Sequence, residues 1–464
     1  MTRSVPPPAS GSATGDQSLL SPAPPIEVHV DPVRSSTELP PPHGRTAVPE
    51  RRPGVGSLVL LASIVISFLA ASSAPTPLYA TYAAEWHFSP ITTTVVFGVY
   101  AIAVLLSLLV LGRVSDHVGR RPVLMAALGL QVAAMAVLTT AGGLDALLLG
   151  RILQGLSTGG ALGALGAAML DIDRRRGTLA NAVVPGIGTG TGALLSGWLV
   201  QYAPAPTHLV YLVLIGAFVV QGAAVIRMPE TVSRTPGVRA ALRPRLAIPP
   251  DLRGPVLAAA PILFAVWALA GFYGSLGPAL ARHLSGSTST VAAGLGLFLL
   301  AVTGSLAALA LDRTAPRNVM LLGIALLTAG SLATLAVIDS GSTLGFFIST
   351  MIAGLGFGAG YQGGIRTVVP RAAPHDRGGV LSVLFVVCYV GMGVPSVLAG
   401  TLVVHGGGLI ATARDYIVFV LVLAGTALAG LLLTNRPTRL ARPAPARADA
   451  PRAMAATTLS DDHC

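Results

Sequence analysis

Gly112-Arg113-Val114-Ser115-Asp116-His117-Val118-Gly119-Arg120-Arg121-Pro122 interrupts an otherwise apolar stretch of chain. Residues 91–111 before it and 122–142 after it are almost wholly apolar. Each run is close to the roughly 20 residues that a helix needs to cross the hydrocarbon of a bilayer. A link this short predicts a helical hairpin in a membrane. Gly112 lets one helix end approach a neighbour closely, Gly119 supplies permissive turn dihedrals, and Pro122 suits the first turn of the next helix. Asp116 is favoured near a helix N-terminus and can pair with Arg113 or Arg120, which makes the link a charge latch able to form and break.

The same pattern extends outward over the 464 residues. Apolar runs fall near 57–80, 91–111, 122–142, 146–170, 179–200, 208–227, 255–280, 289–310, 318–338, 343–368, 379–403 and 413–434, giving twelve candidate spans. With 53% hydrophobic and 11% charged residues, a water-soluble globular chain and a single-span receptor are both excluded. Residues 1–54 and 435–464, rich in Pro with scattered charge, read as disordered tails. Cys388 and Cys464 are the two cysteines, so neither a disulfide framework nor a paired metal site is expected, and no cofactor is implied.

The net charge of +11 is carried by arginines, with no lysine, and its placement speaks for topology rather than for nucleic acid. Arg45, Arg51 and Arg52 precede span 1, and the loops on that side hold Arg113, Arg120, Arg121, Arg174, Arg175, Arg176, Arg313, Arg317, Arg371 and Arg377. The opposite side receives only Arg282 and Arg414. Both termini are therefore expected in the cytoplasm, in a multi-pass protein of the cell inner (plasma) membrane. The proline-rich loop 228–254, with six further arginines in and beside it, separates a first half (55–227) from a second (255–434). The halves echo each other: Asp116 to Arg121 parallels Asp312 to Arg317, and Gly155-Leu156 parallels Gly354-Leu355, as in duplicated transporter halves.

With those residues in view, the chain resembles the major facilitator superfamily. The link matches that family's loop signature G-x-L-a-D-r-x-G-r-k-x-x-l at Gly112, Asp116, Gly119, Arg120 and Arg121, while Val114 replaces Leu and His117 stands where Arg is common. The resemblance implies an all-α membrane protein of twelve helices in two pseudo-symmetric six-helix bundles, with alternating access about a central site. Arg151, Gln154 and Gly155 in span 4 resemble the l-x-x-R-x-x-q-G motif associated with proton-linked transport. Arg151 lies about 9 Å into its helix, where a guanidinium should face the bundle interior. In span 5, Gly188, Gly192 and Gly197 match the exporter motif G-x-x-x-G-P-x-x-G-G, but Ala193 replaces its Pro and Ser196 one Gly. These glycines are expected at the bundle interface, where repeated small residues let helices slide.

Pro75 and Pro77 should break span 1 and free carbonyls toward a cavity. Tyr100, Trp267, Tyr273, Tyr361, Gln362 and Tyr389 are candidate lining of a mostly apolar pocket. No carboxylate lies deep in a span, which leaves Asp171, Glu85 and Asp116 as peripheral groups for proton coupling and argues for neutral or weakly anionic cargo touching Arg151. The expectation is a monomeric, non-enzymatic secondary transporter resembling bacterial drug:proton antiporters, exporting a small hydrophobic compound or antibiotic in exchange for protons. Its small-molecule substrate, protons and the lipid bilayer are the partners, with no nucleic acid. A proton-linked importer of a nutrient or metabolite and a non-transporting membrane sensor remain the alternatives.

Overall fold

A computed structural model describes residues 54–433, apart from 245 and 374 and the side chain of Ala240. Both tails expected to be disordered lie outside the described residues. Among the described residues, twelve helices are long and apolar enough to cross a membrane: span 1 Val55–Trp86, span 2 Pro90–Leu111, span 3 Arg120–Thr139, span 4 Leu144–Ile172, span 5 Arg174–Tyr202, span 6 Pro206–Arg227, span 7 Pro250–Ser275, span 8 Thr290–Ala310, span 9 Pro316–Ser340, span 10 Thr343–Arg371, span 11 Arg377–His405 and span 12 Gly408–Leu433. No strand occurs among the described residues.

Local chemistry sets the ends. Pro90, Pro206 and Pro316 sit in first turns, where a missing N–H costs nothing. Ser89, Asp173, Ser289 and Ser342 cap spans 2, 5, 8 and 10 with side-chain oxygens. Several helices outrun their apolar runs: span 5 begins at Arg174, and span 7 at a 3-10 turn over Pro250–Leu252, inside the stretch assigned to the central loop. Backbone hydrogen bonding continues into the interface, where hydropathy no longer marks it.

Spans 1 and 7 are both divided near the same end of the molecule. Span 1 consists of Val55–Ser73 and Pro75–Trp86, turning at Ala74, and span 7 is followed by a separate helix, Gly277–Ser285, with Pro278 in its first turn. The end that carries residues 112–119 is called the link end below, and the other, where spans 1 and 7 divide, the distal end.

Each half has its own apolar core, built around Phe68, Leu124, Leu165 and Phe218 in the first and Phe272, Tyr273, Leu327 and Phe346 in the second. The halves meet along two helix pairs, span 5 on span 8 and span 2 on span 11. Apolar side chains left on the outside, such as Leu257 at 72% exposure, form the surface that lipid would cover.

Candidate functional site

At the link end, the chain builds a compact ionic knot on the first half. Arg120 is buried, pairs with Asp116, and donates to Asp171 Oδ2 at 3.2 Å and Ser115 Oγ at 2.7 Å. Glu230 of the central loop accepts from the backbone N–H groups of Arg120 (2.8 Å) and Arg121 (3.0 Å), so one carboxylate caps the start of span 3. Gly119 has φ +105°, and a Cβ there would lie 2.6 Å from a Glu230 carboxylate oxygen. The positive φ requires glycine. Gly112 lies against Gly163 of span 4, a close backbone approach. Asp171, a peripheral group in the sequence, thus joins Asp116 and Arg120 in one cluster. Ser115 and Glu230 complete it, and neither was singled out; the sequence spacing gives no sign of a loop carboxylate arriving from 110 residues away.

Deeper in the first half stands Arg151, 1% exposed, among the largest fully buried side chains. Its Nη1 donates to the Ser72 carbonyl (3.0 Å) and to Gln154 Oε1, and Gln154 Nε2 donates to the Ala71 carbonyl (2.7 Å). The Arg151 guanidinium carbon lies 4.1 Å from the Tyr100 ring centroid, a cation–π stack. The break in span 1 explains one of these acceptors. Pro75 has no N–H to give Ala71, which would be its i−4 partner, so that carbonyl is free to receive Gln154. Gly155 permits the approach: a Cβ there would lie 2.5 Å from Ala103 Cβ and 2.8 Å from the Tyr100 carbonyl. No carboxylate partners Arg151 among the described residues. Its Nε has no acceptor, nor has the hydroxyl of buried Tyr79.

Span 5 presents two small-residue faces. Gly188 and Gly192 meet Ile66, Leu69, Ala70 and Ser73 of span 1, and Ser196 Oγ donates to the Ala74 carbonyl at 2.6 Å. Gly186, Gly190 and Gly197 meet span 8, where Gly294 in turn lies on Ala193. Of the three glycines expected at the bundle interface, only Gly197 is there; Gly188 and Gly192 pack within their own half. Helix phase is the reason: 188, 192 and 196 share one face, while 186, 190, 193 and 197 share another.

Four of the six candidate pocket residues converge. Tyr100 and Tyr389 lie in one cluster that joins spans 2 and 11, and Trp267 packs on it. Trp267 is 4.8 Å from Tyr389 and 6.0 Å from Tyr361, centroid to centroid, and its Nε1–H is buried without an acceptor. The other two lie elsewhere. Tyr273 packs on Phe272 and Phe346 and hydrogen bonds to Thr350 (2.8 Å) in the second-half core, and Gln362 donates to the Ala308 carbonyl (3.0 Å) on span 8. Glu85 is exposed at the distal end, apart from the Arg120 cluster.

The distal end also holds hydrogen bonds between the halves. Gln201 Oε1 accepts from Ser289 Oγ (2.7 Å) and from Val291 N–H (3.2 Å), and Thr290 Oγ1 donates to the Gly197 carbonyl (2.8 Å). Span 5 therefore caps the N-terminus of span 8 across the divide. Thr81, Gln201, Pro206 and Ser287 help to line a cleft of about 430 Å³ beside it.

The sequence model described as Major Facilitator Superfamily matches residues 60–277, just under half of the chain. No curated protein matches it. Among solved structures the chain is similar to the nucleoside transporter NupG, at 14% identity and TM-score 0.63, covering 80% of this chain and 99% of that one. It is likewise similar to the human organic anion transporter MFSD10 (TETRAN), at 18% identity and TM-score 0.60, covering 83% and 99%. Twelve helices in two halves among the described residues, with these likenesses, give the chain the fold of the major facilitator superfamily.

Proposed function

We propose that the protein is a secondary active transporter of the cell inner membrane that exports a small hydrophobic compound, an antibiotic among the candidates, in exchange for protons. The halves (55–227 and 255–434) rock about spans 2, 5, 8 and 11, parting the contact between Arg151, Tyr100 and the Trp267 cluster toward each side in turn. The observation that carries this reading is a fully buried arginine whose cation–π partner, Tyr100, sits in a side-chain cluster that straddles the halves. Separation of the halves would open that cluster.

The arginine-rich loops favour the link end, and both termini, in the cytoplasm. There the Arg120 cluster serves as the latch, and Asp116, Asp171 and Glu230 are the carboxylates within it. The test is uptake into everted vesicles under an acid-interior gradient, which should concentrate hydrophobic compounds inside and collapse when the gradient is discharged. Accumulation in right-side-out vesicles alone would replace export by the importer reading. That alternative draws support from span 5, where Ala193 stands in place of the exporter proline, and from the likeness to a nucleoside transporter. We take the working unit to be one chain, since each half has a complete core of its own.

A further inference from the structure

The groups around Arg151 and Tyr100, beside the divide, leave donors unpaired. Arg151 and Tyr79, both more than nine-tenths buried, leave Nε–H and Oη–H without partners, and Trp267 Nε1–H faces the same lack across the divide. Arg151 has already taken the oxygens nearest to it, Ser72 carbonyl and Gln154 Oε1, and still has an unmatched positive charge. Tyr79 lies on the segment beyond the turn at Ala74, within electrostatic reach of the guanidinium. A buried charged donor lacking its acceptor is destabilising, and no carboxylate among the described residues pairs with it.

The chemistry that completes such a site is an anion. A cation would meet the Arg151 charge with no carboxylate to offset it, and a neutral ring would leave the charged N–H unmatched. The remaining walls are flat: Tyr100 lies beneath Arg151 on the first half, and Trp267, Tyr361 and Tyr389 stand on the second. Aromatic walls favour a planar apolar body.

The geometry points to an aromatic monocarboxylate as the cargo, its carboxylate accepting from Arg151 Nε–H and the Tyr79 hydroxyl, its ring held between Tyr100 and the Trp267–Tyr389 pair. This rests on the transporter reading above, narrows the hydrophobic compound to one charge class, and gives the two halves different tasks. The first half binds the charge, and both halves hold the ring.

The probes are three isosteres, 2-naphthoate, 2-naphthamide and 2-naphthylmethylammonium, titrated calorimetrically into the purified full-length chain. Naphthoate should bind about tenfold or more tightly than either of the others, the margin of a charge-assisted hydrogen bond. Arg151→Gln should erase that preference, and Trp267→Ala should weaken all three probes alike. Should Arg151→Gln fail to fold, Tyr79→Phe, which removes one hydroxyl, should weaken naphthoate by about threefold or more. Equal binding of the amide or the ammonium, absence of binding by all three, or a preference that survives Arg151→Gln and Tyr79→Phe would overturn the assignment. Flux into proteoliposomes separates the two readings: naphthoate binding without any flux removes the transporter and keeps the site, whereas flux indifferent to charge does the reverse.

Discussion

Arg151 was legible in the sequence because a charge inside an apolar run has few places to go, but its partners were not. Pro75 announces a missing N–H, and the carbonyl it leaves unpaired, Ala71, can be named from helical spacing alone. That Gln154 arrives to fill it depends on how spans 1 and 4 are packed, which spacing does not encode. Gln154→Leu should leave that buried carbonyl without a donor, at a cost of about 1–3 kcal/mol in thermal unfolding of the purified protein. Pro75→Ala in the same background should recover part of the loss by restoring the backbone donor; no recovery would mean that Gln154 acts otherwise. At the link, Gly119→Ala meets both a left-handed φ and the Glu230 carboxylate. It should cost about 1–3 kcal/mol, and Glu230→Gln should not relieve it, because the backbone strain remains.

Among elements, span 5 shows how a run of small residues can mislead about direction. Its glycines were plain in the sequence, yet a list of small residues has no phase until the helix is set against its neighbours. Only then do 188 and 192 fall toward span 1, and 190 and 197 toward span 8. Bulk at the two faces should therefore fail differently. Gly192→Val, where a Cβ already overlaps Ala70, should reduce the yield of folded protein, seen as aggregation in size-exclusion chromatography. Gly197→Val, against Thr290 and Val291, should leave each half intact but force the distal ends apart, read as faster labelling of a cysteine placed at Thr288. Gln201→Ala should speed the same labelling without the bulk, since it removes the acceptor that caps span 8. A single lost cap of about 1 kcal/mol corresponds to a severalfold shift between closed and open populations. Unchanged labelling in both variants would mean that these contacts do not hold the distal end.

Over the whole molecule, the number of spans and the division into halves were readable because hydrophobic length and loop charge are properties of sequence segments. The departures from twofold symmetry were not. Where span 4 offers Arg151 to the Ser72 carbonyl of span 1, span 10 offers Thr350 to Tyr273 of span 7, a neutral pair at the corresponding level. Tyr273 consequently faces its own core rather than the divide, which is why it does not join the aromatic cluster. At the link end the exchange is similar: Arg366 of span 10 donates to the Leu311 and Thr314 carbonyls, where the first half uses the Arg120–Asp171 pair. A bifunctional reagent joining cysteines at 201 and 289 should therefore arrest flux reversibly, because the distal contact must part in every cycle. The bond between Gln154 and the carbonyl opposite Pro75 has a different kind of consequence. Neither residue is favourable without the other, one leaving a bare acceptor and the other a bare donor, so descendants of this gene should retain or discard the two together. An alignment deep enough to measure covariation would reveal the coupling as history rather than as geometry.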